Sequence, residues 1–177
     1  MSETPVVIEF ATPQQVQARQ ELVRRLRSGE IKQTKGKLGD PDGSRCCLGV
    51  ACDIGVEVGI VNTPAPTTTQ IPDDLTTPVY GGPAHEEAAL NYDGDTGSLP
   101  YSVRNYFGFR SHIGTYGPPA PIKEQASLAR DNDRYGLTFS QIADTIEAEP
   151  EGLFELQSPP KTEPVTAQQA GESYSGN

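Results

Sequence analysis

Nine residues, Arg45-Cys46-Cys47-Leu48-Gly49-Val50-Ala51-Cys52-Asp53, most narrow what this chain can become. They hold all three cysteines of a 177-residue chain and form its least polar run. Cys47, Val50, Ala51 and Ile54 recur at i, i+3, i+4 and i+7, which predicts a short buried helix over residues 47–54, closed by Gly55. Two of the three cysteines are adjacent, a spacing that strains a disulfide between them. Free, buried thiols in a reducing compartment are therefore expected.

Sixteen prolines and eighteen glycines confine regular structure elsewhere to a few short elements. Thr12-Pro13-Gln14-Gln15 reads as a helix start, with Thr12 and Gln15 as a capping box and Pro13 at the first helical position. That helix runs to Ser28 and stops at Gly29, turning Val16, Leu22, Val23 and Leu26 inward and Arg19, Arg24, Arg25 and Arg27 mainly toward water. A second capping box, Thr138 and Gln141, opens a helix whose Phe139, Ile142, Ala143 and Ile146 share one face. Between them the pattern predicts a strand within residues 30–39, a turn at 39–43, an extended exit at 56–61 and a Thr/Pro-rich surface loop at 62–83. Then come a hairpin-like turn between two strands at 93–97, a brief helix ending at Phe107 and Gly108, a loop at 113–121 and a helix over 122–132. The expected class is α+β: a small, loop-rich single domain over 12–157, with three to five short helices and short antiparallel strands. The cysteine helix is expected between the first and last helices. Residues 1–11 read as an N-terminal arm or strand and 158–177 as a disordered tail.

The formal charge of −10 argues against general nucleic-acid binding. It is unevenly spread: residues 1–60 balance eight basic against eight acidic side chains, whereas residues 61–100 carry six acidic and no basic ones. A neutral first third also disfavours an acidic imitation of DNA. The basic exception is local: Lys32, Lys35, Lys37 and Arg45, beside the cysteine helix, are the candidate contacts for a small anionic ligand. No run approaches the roughly 18 apolar residues of a membrane span, and the N-terminal residues show no signal-peptide pattern. A soluble, cytoplasmic protein without membrane contact is expected.

Three cysteines raise zinc, but Cys-Cys-x4-Cys lacks the paired ligands of a structural site, and His85 and His112 lie in predicted loops. Packed thiols, with no metal and no cofactor, are the expectation. Cys46, next to Arg45 and near a helix start, is the one candidate nucleophile, because a local positive field lowers a thiol pKa. The turn from Asn91 to Gly97 alternates oxygen-bearing residues as a calcium loop does, but has Thr96 where the loop needs glycine and Ser102 where it needs glutamate. Residues 139–146 could open a helix-turn-helix, but Pro150 and Gly152 interrupt the second helix.

Six motifs follow one another along the chain. They are Leu26-Arg27-Ser28-Gly29, then Gln33 with Gly36-Lys37-Leu38, then Cys46 through Asp53, then Leu99-Pro100 with Val103, Tyr106 and Gly108. Leu128-Ala129, Asn132-Asp133 and Phe139 through Glu147 complete the series. Together they resemble a family of small uncharacterised proteins found mostly in bacteriophage genomes, over residues 14–149. Tyr106 stands where that family usually has tryptophan, Ile31 and Arg45 where it often has aromatics, and Asp131 where it tends to be apolar. The resemblance implies phage origin and expression in the cytoplasm of an infected bacterium, and names no activity. The expected function is a non-enzymatic accessory module binding a host bacterial protein or a small anionic ligand. The alternatives are a small cysteine-dependent enzyme and a minor virion or assembly protein.

Overall fold

The computed structural model describes residues 9–75, 83–121 and 124–160. The expected arm is thus described only from Glu9 and the tail only to Pro160, and residues 76–82 of the Thr/Pro segment lie outside. Five helices and two antiparallel strand pairs make up a small α+β fold among the described residues.

Helix α1 (Pro13–Arg27) begins as its sequence demands: the Gln15 N–H donates to Thr12 Oγ1 at 3.2 Å and the Thr12 N–H to Gln15 Oε1 at 3.0 Å. The same reciprocal cap, Thr138 with Gln141, starts α5 (Phe139–Ala148), the main packing partner of α1. Leu22, Val23 and Leu26 of α1 and Ile142, Ala143 and Ile146 of α5 are buried, and the two helices lie directly on each other. The cysteine helix, α2 (Cys47–Glu57), does not sit between them as expected but packs on α1, α3 (Tyr101–Phe107) and α4 (Leu128–Asp133). α2 also passes through Gly55 instead of ending there. A Cβ at Gly55 would lie 3.0 Å from Val103 Cγ2, so this glycine permits the close approach of α3, and the chain turns at Gly59 (φ +78°) instead.

Residues 30–39 form no strand, because Gly36 takes φ +73° and turns the chain out of extended geometry. Only isolated bridges of Gln33 and of Gly39 to Arg45 remain. The Thr/Pro segment departs in the opposite direction. Strand β1 (Ala65–Pro72) pairs antiparallel with β2 (Ala84–Asn91), in a register that sets Ala65 opposite Asn91 and Pro72 opposite Ala84. Thr67, Thr68 and Thr69 are β-branched and suit a ladder, while the prolines fall near the two ends of a strand in a two-stranded sheet, where a missing N–H is tolerated. The turn after β2 leads into α3, not into another strand. Of the helix expected over 122–132, residues 122–123 lie outside the described residues, and the helix begins only at Leu128. Ala126–Ser127 is strand β4, paired with β3 (Thr115–Tyr116), and the Ser127 hydroxyl caps α4 by accepting from the Arg130 N–H.

Tyr92, Phe107, Phe109, Leu38, Leu48, Leu128 and Leu153 are among the side chains filling the interior. Phe109 stacks on Phe154 with ring centroids 4.9 Å apart, which fastens the segment after α5 to the end of α3. Asp131, unexpected at a packing position, is buried and accepts from the Tyr116 hydroxyl at 2.7 Å.

Candidate functional site

The cysteine octet is accounted for by packing at nearly every position. Cys46 is the N-cap of α2, its sulfur accepting from the Gly49 N–H at 3.4 Å, and the Cys47 thiol donates to the Leu128 carbonyl at 3.5 Å. Gly49 faces the 38–46 loop so closely that a Cβ there would lie 1.8 Å from the Leu38 carbonyl oxygen. Val50, Ala51 and Cys52 are fully buried. Asp53 closes the helix against its surroundings, accepting from the Tyr92 hydroxyl at 2.6 Å and from Arg45 Nε at 2.8 Å. Asn132 secures the other end: its Oδ1 accepts from the Cys47 N–H and Gln33 Nε2, and its amide donates to the Thr34 carbonyl.

This geometry reverses the expectation for Cys46. Arg45 turns its guanidinium to Asp53 and to the Asp40 and Ser44 carbonyls, so it does not serve the thiol. Burial, aided by the negative charge of Asp133, pushes the Cys46 thiol up to about 12, and Cys47 and Cys52 are raised as well, chiefly by burial. His85 is engaged on the β1–β2 hairpin by Asp73 and Glu87, and the His112 carbonyl accepts from Leu99. Among the described residues, no group of three His, Cys, Asp or Glu side chains is placed to hold a metal ion. The oxygens of the calcium-like turn are engaged internally: Asn91 by the Gly94 N–H, Asp93 by Asn62 and Asp95 by Ser98.

The four cations of the expected anion site are not brought together as free charges. Lys37 is buried, with its ammonium 2.5 Å from both Asp40 and Glu87 and 2.9 Å from the Ala88 carbonyl. Arg45 is committed to Asp53. Lys32 is exposed and faces Asp42 at 3.4 Å, and Lys35 is exposed beside Gly136. The two cations that lie deepest are thus neutralised within the fold.

A cavity that sequence reasoning missed lies between α1, α5 and residues 157–159. Its volume is about 380 Å³, within the range of small-ligand pockets. Val16, Val23, Ile146 and Pro159 contribute apolar surface, with Gln20 and Glu147 among the polar residues lining it. Arg19 holds the third wall in place and is buried, not turned mainly toward water as expected. Its guanidinium lies 3.7 Å over the Phe154 ring and donates to the Phe107 carbonyl, the Leu156 carbonyl and Glu149. Glu149, in the left-handed region at φ +45°, accepts in turn from the Ser158 N–H and hydroxyl at 2.7 and 2.6 Å. The available signal was spacing, since Arg19 falls three residues after Val16 and three before Leu22, on the apolar face. With its ion pair satisfied internally, the cavity offers apolar burial with a polar lining.

A family model described as a domain of unknown function, DUF8296, matches residues 14–150. The chain belongs to the DUF8296 family. No curated protein and no solved structure matches it. The DUF8296 match takes in α1 through α5, including the octet and two walls of the cavity, while residues 157–159, the third wall, lie beyond it. No helix among the described residues is long and apolar enough to cross a membrane.

Proposed function

We propose that this DUF8296 protein is a non-enzymatic binding module that uses the α1–α5 cavity. The single observation that carries this reading is a cavity of about 380 Å³, partly apolar, whose third wall is held by the Arg19–Glu149–Ser158 clamp. The absence of an activated thiol at Cys46 supports it, since buried thiols with raised pKa values are poor nucleophiles. In this reading the protein is of phage origin, a resemblance carried by the octet and the Phe139–Glu147 motif, and acts in the cytoplasm of the infected host. A host protein inserting an apolar side chain is favoured as the partner. A small anion is less favoured, because Lys37 and Arg45 are spent on Asp40, Glu87 and Asp53.

The test is capture of partners from infected-host lysate, with native mass spectrometry of the eluate, for the wild type and for Gln20→Trp. Gln20 is exposed and lines the cavity, so tryptophan there fills the space without disturbing the core. A stoichiometric partner bound by the wild type and lost with Q20W is expected. A partner retained by Q20W would remove the cavity from the proposal. An empty eluate from well-expressed protein would count against the binding reading and direct attention to purified virions.

A further inference from the structure

The loop end of the β1–β2 hairpin carries a charged rung that the packing of the core does not require. His85 is half exposed, with Nδ1 2.7 Å from Asp73 Oδ1 and Nε2 2.7 Å from Glu87 Oε1. A carboxylate only accepts, so both ring nitrogens must donate for both contacts to be hydrogen bonds, and only the imidazolium does that. The neutral ring has one N–H, leaving a lone pair against a carboxylate on its other side.

The two carboxylates are not equally anchored. Glu87 is held independently of His85, because its Oε2 receives Lys37 Nζ at 2.5 Å, and Lys37 is fixed in turn by Asp40 and the Ala88 carbonyl. Asp73, just beyond β1, has the His85 ring on its carboxylate and a backbone hydrogen bond from its N–H to the Pro83 carbonyl at 2.9 Å. Glu86 is bonded to Thr68 on β1, and Asp74 adds a negative charge next in sequence. The charged groups thus form a row running from Asp40 and Lys37 through Glu87 and His85 to Asp73.

We propose that His85 is a proton-operated latch on the loop end of this hairpin, closed while the ring carries both protons and released when one passes to solvent. Release acts on the Asp73 side, because Lys37 keeps Glu87 in place. The raised His85 pKa, caused first by the Asp73 hydrogen bond and then by that from Glu87, has the matching sign. A cation stabilised by folding contributes fully below its ordinary pKa of 6.5 and loses that contribution as pH rises through the higher folded value. The latch is independent of whatever fills the α1–α5 cavity.

The test uses the intact chain in solution NMR. Imidazole nitrogen shifts give the protonation of His85, and amide exchange is compared at about pH 5.5 and about pH 8.5 after correction for intrinsic rates. Two amides discriminate: Asp73, bonded to Pro83 beyond the rung, and Leu90, bonded to Gly39 on the Lys37 side. The expected result is a ring that titrates above its ordinary value of 6.5, with Asp73 protection falling at least about tenfold across the titration and Leu90 unchanged. In His85→Gln the Asp73 amide is expected to be equally exposed at both pH values, and Asp73→Asn is expected to bring the His85 titration down. A ring that titrates at or below 6.5, or Asp73 protection equal at both pH values in the wild type, would overturn the proposal.

Discussion

Among the described glycines, Gly49 is the one where an added Cβ would come closest to another atom. With only 1.8 Å between a would-be Cβ and the Leu38 carbonyl oxygen, no rotamer change relieves the clash, because the obstacle is backbone. The same carbonyl accepts the Cys46 N–H at 3.0 Å, so moving the loop to make room also costs the N-cap residue of α2 that hydrogen bond. Gly49→Ala is therefore expected to cost about 3 kcal/mol or more, above the usual range for overpacking because the backbone itself must shift. Urea unfolding monitored by circular dichroism measures this, and a loss below about 1 kcal/mol would show that the 38–46 loop yields without penalty. The octet's glycine is thus explained by contact with Leu38, and its cysteines by burial, without invoking reactivity.

Elements divide by how local their causes are. Helices α1 and α5 were legible because capping boxes and 3.6-residue periodicity are written within a few residues of where they act. β1 was not, because its ladder depends on β2, which begins twelve residues after β1 ends. Arg19 was misplaced for a related reason: its burial rests on Phe107, Glu149, Phe154 and Leu156, which the sequence does not reveal as neighbours of α1. The candidate cavity was therefore illegible, whereas the expected anion site had been suggested by charges close in sequence. The Arg19 clamp is expected to behave as a buried ion pair, with side chains only 4% and 15% exposed. Arg19→Met leaves the Glu149 carboxylate without its cation and should cost about 3–5 kcal/mol. Adding Glu149→Gln to that variant should restore part of the loss, since no unpaired charge then remains. A double variant as unstable as the single one would place the loss in the Phe154 stacking and the carbonyl contacts instead.

For the whole molecule, the groups whose protons the fold retains lie in several separate places. Cys46, Cys47 and Cys52 on α2, Tyr92 against Asp53 and Tyr116 against Asp131 are all raised, each chiefly by burial, and Lys37 is raised by its carboxylate partners against the opposing effect of burial. Each holds its proton more tightly folded than unfolded. Their contributions are complete below the ordinary values, 9.0 for the thiols, 10.0 for the phenols and 10.5 for the lysine, and drain away as pH climbs toward the folded values. In a His85→Gln background, which removes the latch's own pH dependence, the urea midpoint should therefore stay level from about pH 7 to about pH 8.5 and fall steeply by about pH 10.5, with a slope exceeding one proton per molecule. Because Tyr92 reaches Asp53 from outside α2, its loss should flatten the limb without removing the helix: Tyr92→Phe lowers the midpoint at neutral pH but reduces its further fall at high pH. Thiol labelling across the same range should track global unfolding, since a thiol as deeply buried as Cys47 or Cys52 meets reagent only when the core opens. A midpoint unchanged at about pH 10.5, or labelling far faster than unfolding, would mean that α2 separates from α1, α3 and α4 on its own, and that the cysteine helix is a mobile element instead of the centre of one cooperative unit.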